Sequence, residues 1–131
     1  MIVGVDDPCH WTGNLTGYAP EGFLSELSAL SQQIEPYKFV ILLTHRPELF
    51  DLYCRYGFDL VLAGHAHGGQ WRIPGLLNGL YAPNQGFFPP LAGGKYERDG
   101  TVMIVSRGLA RESTRIPRFY NPPELVMIDL K

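Results

Sequence analysis

Three short apolar runs, at residues 2–5, 39–43 and 59–63, alternate with two segments whose apolar residues recur at helical spacing. In the first segment Pro20 suits the opening turn of a helix, and Phe23, Leu24, Leu27, Leu30 and Ile34 follow with Ser, Glu and Gln between them. In the second, Pro47 opens the helix, Leu49, Phe50, Leu52, Tyr53 and Tyr56 make a broad apolar face, and Gly57 supplies the C-terminal cap. The run at 39–43 is apolar throughout, and it is short enough to be a strand covered on both faces. Strand, helix, strand, helix, strand is the signature of a sheet built from βαβ crossovers, so the fold class expected is α/β.

Pro8 biases Asp7 toward an extended backbone and stops the first strand, which makes Asp6 and Asp7 turn residues. Residues 74–100 are rich in Gly, Pro and Asn and read as long loops around short β pieces. Two further β runs are expected at 101–106 and 125–130. Between them lie Arg107, Arg111, Arg115 and Arg118, interrupted by Glu112 and without a period, as in a solvated loop. A length of 131 residues suits one domain. No apolar run approaches the ~20 residues of a membrane-spanning helix, and the start lacks a signal-peptide pattern, so a cytoplasmic chain is expected. A net charge of −2 supplies no long-range field for nucleic acid; any phosphate recognition has to be local. Cys9 and Cys54 lack metal-site spacing and read as reduced core residues.

The chemistry concentrates in Gly64-His65-Ala66-His67-Gly68-Gly69-Gln70. Residues at i and i+2 of an extended segment share a face, so both imidazoles can aim at one pocket, and glycine lets the backbone bend sharply around them. His45 follows the apolar run at 39–43, and ligands of such sheets sit beyond the C-terminal ends of the strands. His45, His65 and His67 are therefore expected to ligate metal. Zinc, manganese or iron suits imidazole mixed with carboxylate, and two such ions can clamp the attacking and leaving oxygens of a phosphoryl displacement. Arg46 and Arg72 flank the histidines and are candidates for binding a substrate phosphate, because a guanidinium fork matches phosphate oxygens. His10, beside Trp11, reads as a surface or packing residue, and Trp71, Tyr81, Phe87 and Phe88 as core fillers. No residue identifies itself as a catalytic acid or base.

The stretches Ile41-Leu42-Leu43-Thr44-His45-Arg46-Pro47-Glu48-Leu49-Phe50 and Asp59-Leu60-Val61-Leu62-Ala63-Gly64-His65-Ala66-His67-Gly68-Gly69-Gln70 resemble the calcineurin-like metallophosphoesterase superfamily. Within it the match is to the bacterial phosphohydrolase branch of the YkuE and YaeI type. Gly4-Val5-Asp6-Asp7-Pro8, Val105-Ser106-Arg107-Gly108-Leu109 and Arg118-Phe119-Tyr120-Asn121-Pro122-Pro123-Glu124-Leu125 extend the resemblance over nearly the whole chain, as the C-terminal part of a single domain. It implies a partial β-sandwich of mixed sheets flanked by helices, a binuclear centre and hydrolysis of a phosphoester substrate. By position, His45 and His65 resemble ligands of the second ion and His67 a ligand of the first. The superfamily's other ligands come from Asp-x-His, Gly-Asp-x-x-Asp and Gly-Asn-His-Glu/Asp motifs, none of which occurs here. Either this is a hydrolase holding only its C-terminal histidines and weak alone, or it is a catalytically incomplete metal-binding or scaffold fragment. Both readings leave apolar sheet surface open, so the chain is expected to self-associate or to dock with an N-terminal half. Relatives of this branch can carry a membrane anchor or export signal.

Overall fold

The computed structural model describes residues 1–12, 19–109 and 117–130. Its strands, in chain order, are β1 (Ile2–Gly4), β2 (Ile41–Leu43), β3 (Leu60–Ala63), β4 (Tyr81–Ala82), β5 (Gly86–Phe87), β6 (Gly94–Arg98) and β7 (Thr101–Val105). The helices are α1 (Cys9–Thr12), α2 (Glu21–Ser31) and α3 (Phe50–Tyr53). The main sheet runs β1-β2-β3-β7-β6, with the first four strands parallel and β6 antiparallel to β7. The fold is thus a mixed α/β arrangement with a mostly parallel sheet, as the alternating pattern implied. Among the described residues, the second sheet of the expected sandwich is only the hairpin of β4 and β5.

The register explains the core. Val3, Leu42, Val61 and Met103 are partners in one row across four strands, and all are buried. Phe23 and Leu27, four residues apart on α2, cover this face together with Phe50 and Tyr53 of α3. Each such side chain contributes about 1.5–3 kcal/mol by leaving water. Neighbouring residues point the other way because the strand period is two. On that second face Ile2 is 68% exposed and Leu43 44% exposed. A cavity of about 460 Å³ lies there, lined in part by Phe39, Leu60, Val102 and Ile104. Parallel strands usually have both faces covered, so this apolar face is unusual.

Two local expectations change. The second helix is broken into a 3-10 turn at Pro47–Leu49, α3, and another 3-10 turn at Cys54–Tyr56, closed by Gly57 at φ 77° as anticipated. The run at 125–130 forms no strand. Met127, Ile128 and Leu130 line the open-face cavity instead, without joining a ladder. In the stretch read as loops around short β pieces, β4, β5 and β6 are those pieces, and β6 is the longest of the three. It pairs with β7 through Asp99-Gly100, both at positive φ (50° and 83°), the geometry of a tight two-residue hairpin turn. Among the described residues, no helix is long and apolar enough to cross a membrane.

Candidate metal centre

β2 and β3 are parallel neighbours, with Leu43 opposite Leu62, so the residues that follow each strand leave the sheet at the same edge. His45 and His65 are those residues. His65 Nδ1 lies 2.9 Å from His45 Nε2, and the ring centroids are 4.5 Å apart. Two nitrogens bound to one tetrahedral zinc at ~2.0–2.1 Å would be about 3.3 Å apart, so a small opening of the pair would admit an ion between them. His65 Nε2 meets Asn84 Oδ1 at 2.8 Å. Nε2 thus sits between an acceptor, Asn84 Oδ1, and a donor, Arg46 Nη1 at 3.1 Å, and these two partners orient the ring with Nδ1 facing His45, as outer partners orient a metal-binding imidazole.

Burial, followed by the His65 charge, lowers the His45 pKa, and the nearby Asp7 opposes this only in part. Burial, then the charges of Arg118, His65 and His45, lower that of His67. Both shifts favour neutral imidazole, the form that binds metal. His67 is therefore within electrostatic reach of the other two histidines, although its ring forms no hydrogen bond with them.

The turn that carries His65 and His67 is held in an uncommon conformation. His65, His67, Gly68, Gly69 and Gln70 all have positive φ, between 48° and 64°. Such left-handed residues cost of order 1–3 kcal/mol each when they are not glycine, and they persist where surrounding structure imposes them. Here the C-terminal segment imposes it. Asn121 Nδ2 donates to the His67 and Gln70 carbonyls at 2.7 and 3.2 Å, and the Phe119 amide donates to the Gln70 carbonyl at 3.0 Å. Asn121 is buried against Gly68, where a Cβ would lie 2.3 Å from its Oδ1.

Arg46 is 3% exposed, and its guanidinium is engaged by the protein. Nε donates to both Asp7 oxygens (3.2 and 3.0 Å), Nη1 to Glu48 at 3.2 Å and to Asn84, and Nη2 to Cys9 Sγ at 2.6 Å. Nη1 also lies 3.1 Å from His65 Nε2. Asp7 makes the expected turn by accepting the Cys9 amide at 2.8 Å, and it also anchors this hub. Burial opposes ionisation of Asp7, but the Arg46 and Cys9 hydrogen bonds and the Arg46 charge outweigh it and hold its pKa below the usual 3.8. The stability this contributes is fully present above 3.8 and is lost as pH falls through the lower folded value. Thermal melts between pH 5 and pH 2 should therefore show a steeper acid limb in the native chain than in Asp7→Asn. Identical limbs would mean that the Arg46 hub does not couple to folding.

Of the residues picked from sequence, His45 and His65 come together, His67 and Arg46 sit beside them, and Arg72 lines a cavity with Gly75, Leu76, Leu77 and Asn78. Asn84 and Asn121 were missed. Asn84 sits in the Gly/Pro/Asn-rich stretch, where composition hides a single contact-making side chain. The aromatics expected in the core are instead partly exposed, with Trp71 at 44% and Phe87 at 72%. Trp71, Tyr81 and Phe87 line an apolar cavity of about 260 Å³ beside Gly69 and Gln70. Among the described residues no three His, Cys, Asp or Glu side chains converge closely enough to hold an ion. The nearest carboxylate, Asp7, is 4.0 Å from His45 Nε2 but is taken up by Arg46. The donor set thus fits part of a coordination shell: neutral nitrogens, with the anionic oxygens still to be supplied.

Comparison with known proteins matches this arrangement to named relatives. The chain is 35% identical over 133 aligned positions to a protein of Aquifex aeolicus named an uncharacterized metallophosphoesterase, covering 100% of this chain and 45% of the relative. It is 34% identical over 120 positions to an uncharacterized metallophosphoesterase of Campylobacter jejuni (91% of this chain, 30% of the relative). To the uncharacterized metallophosphoesterase YkuE of Bacillus subtilis it is 36% identical over 110 positions (80% of this chain, 34% of the relative). The chain spans less than half the length of these curated relatives. No family model and no solved structure matches it. On the strength of these relatives, the chain belongs to the metallophosphoesterase family.

Proposed function

We propose that this chain contributes the C-terminal histidine ligands of a binuclear centre in a metal-dependent phosphoester hydrolase, with His45 and His65 at one ion and His67 at the other. The observation that carries the reading is the 2.9 Å approach of His65 Nδ1 to His45 Nε2 at adjacent parallel strand ends. Two divalent ions, manganese, zinc or iron, would offset the charge on the attacking and leaving oxygens of a phosphoryl displacement. The chain's own residues hold the ligands ready. Asn84 orients the His65 ring, the Arg46 hub fixes the loop that carries His45, and Asn121 locks the turn that carries His67. Arg46, engaged by Asp7, Glu48 and Asn84, holds the site together, and Arg72, which lines a polar cavity, is the residue proposed to meet a substrate phosphate.

Neutral imidazoles alone cannot offset the repulsion between two dications, so bridging carboxylates from outside the described residues complete the centre. This supports a second reading, that the chain by itself is a metal-binding fragment that self-associates or docks with an N-terminal half. The open apolar sheet face, with Ile2 and Leu43 exposed, favours it.

Hydrolysis of bis-p-nitrophenyl phosphate tests both. The isolated chain with manganese is expected to turn over feebly. Adding the part of a YkuE-like relative that this chain does not cover should raise the manganese-dependent rate, and His65→Ala should remove the gain. Turnover by the isolated chain comparable to a complete enzyme would show that its own ligand set suffices. No gain on mixing, together with no ion binding, would sink the hydrolase reading.

A further inference from the structure

Among the described residues, three arginines converge at one edge of the sheet with a single carboxylate among them. Arg107 lies two residues past β7. Arg72 and Arg118 emerge from adjacent hydrogen-bonded segments, since Trp71 and Phe119 form a parallel bridge and the Arg72 amide donates to the Phe119 carbonyl at 3.0 Å. Arg118 Nη2 donates to the Arg107 carbonyl at 2.6 Å. Glu124 is the carboxylate. Its Oε2 accepts from Arg107 Nη1 at 2.6 Å and its Oε1 from the Arg107 amide at 3.1 Å. Among the described residues, three guanidiniums meet one carboxylate at this edge, an excess of two positive charges in a chain whose net charge is −2.

The cluster is also short of acceptors. Nε of Arg72, Arg107 and Arg118 and Nη1 of Arg118 are enclosed and have no hydrogen-bond partner among the described residues. Buried donors on charged groups are costly when unpaired, more so than neutral ones. Arg72 opens onto a polar cavity of about 240 Å³ that it shares with Asn78. Asn78 Oδ1 in turn accepts from Arg107 Nη2 at 3.2 Å, which ties that cavity to the cluster. Burial lowers the Arg72 pKa and the Arg107 charge lowers it further, against Glu124; burial likewise lowers that of Arg118. An anion placed here would relieve both the repulsion and the missing acceptors.

We infer that Arg72, Arg107 and Arg118 form a pocket for a phosphate group, separate from the histidine pair. A tetrahedral oxyanion presents several acceptor oxygens to planar guanidinium forks, and arginine suits that geometry better than lysine. The pocket lies on the His67 flank of the centre, because Asn121, three residues past Arg118, donates to the His67 carbonyl at 2.7 Å. The substrate therefore carries a second phosphoryl group besides the one hydrolysed. The choice of phosphate over other oxyanions rests on the phosphoester reading above; the pocket itself does not.

Inorganic phosphate titrated into the full chain in EDTA, followed through the arginine Nε–H resonances by NMR, reads the pocket with no metal present. Saturable shifts at Arg72 and Arg118 are expected, but not at exposed Arg55. Arg72→Gln should weaken binding at least tenfold, Arg72→Lys should restore part of it, and His65→Ala should leave it unchanged. Circular dichroism melts confirm that the variants fold, and the shifts in the native chain need no variant at all. No saturable shift, an equal shift at Arg55, or unchanged affinity in Arg72→Gln overturns the pocket. An equal response to acetate overturns its assignment to phosphate. A chain that binds phosphate in EDTA yet never contributes to hydrolysis retains the pocket and loses the hydrolase reading; the reverse result loses only the pocket.

Discussion

Replacing His65 by alanine is expected to weaken binding of manganese or zinc by about 100-fold or more, measured by isothermal titration. His65 is the middle of the site: one ring nitrogen faces His45 and the other is held by Asn84 and Arg46. Loss of an outer partner of a metal ligand typically costs 10–100-fold in affinity, and loss of the ligand itself should cost at least that much. Asn84→Ala is the informative companion. It keeps all three histidines but removes one of the two partners that orient the His65 ring, so its loss should fall within that outer-partner range. Affinity unchanged in His65→Ala would mean that the ion binds elsewhere and that the 2.9 Å nitrogen contact is only a hydrogen bond.

The second large effect is on stability. Gly69→Ala is expected to cost about 3 kcal/mol and to lower the melting temperature by roughly 10 °C. Two costs combine. Gly69 has φ 64°, where an L side chain is strained, and its new Cβ would lie 2.4 Å from the Gly79 Cα, backbone that cannot swing aside. Gly57→Ala separates the two, because at φ 77° nothing lies within 4 Å of its Cβ. It should cost only about 1 kcal/mol, the left-handed penalty alone. Equal losses in the two variants, read by urea unfolding, would show that the close approach of Gly69 and Gly79 is not tight in solution. Because Gly69 sits two residues from His67, the same variant should also weaken metal binding, whereas Gly57→Ala should not.

Periodicity located most of the sheet. The apolar runs at 2–5, 39–43, 59–63 and 101–106 all became parallel neighbours in the structure, and the helical spacing of Phe23 and Leu27 gave the face of α2 that is buried. The errors have local causes. At 125–130 the residues favour a strand, but a strand exists only where a neighbour offers its free amides and carbonyls, and these residues lie along the sheet face instead. Short β pieces are expected in the Gly/Pro-rich stretch, and Asp99-Gly100 between β6 and β7, a strong short-range hairpin signal, is what places the longest of them. The aromatics of the β4 and β5 hairpin were placed in the core because large apolar side chains usually are, yet only two short strands carry them here and no second layer covers them among the described residues.

The sequence by itself determined which residue types end each strand, and so put His45 and His65 at the edge where ligands of parallel sheets bind. It also marked, by the glycines around His67, a turn that the backbone could bend tightly. It did not determine that β2 and β3 would be adjacent, which is what brings two imidazoles twenty residues apart to within 2.9 Å. Nor could it show that Arg46 would be enclosed by Asp7, Glu48 and Asn84, or that Arg72, Arg107 and Arg118 would gather around Glu124. Spacing along a chain fixes direction within one element, because helix and strand periods are set by local sterics. Contacts between elements depend on strand order and on how loops fold back, and those follow from burying one apolar face against another across the whole molecule.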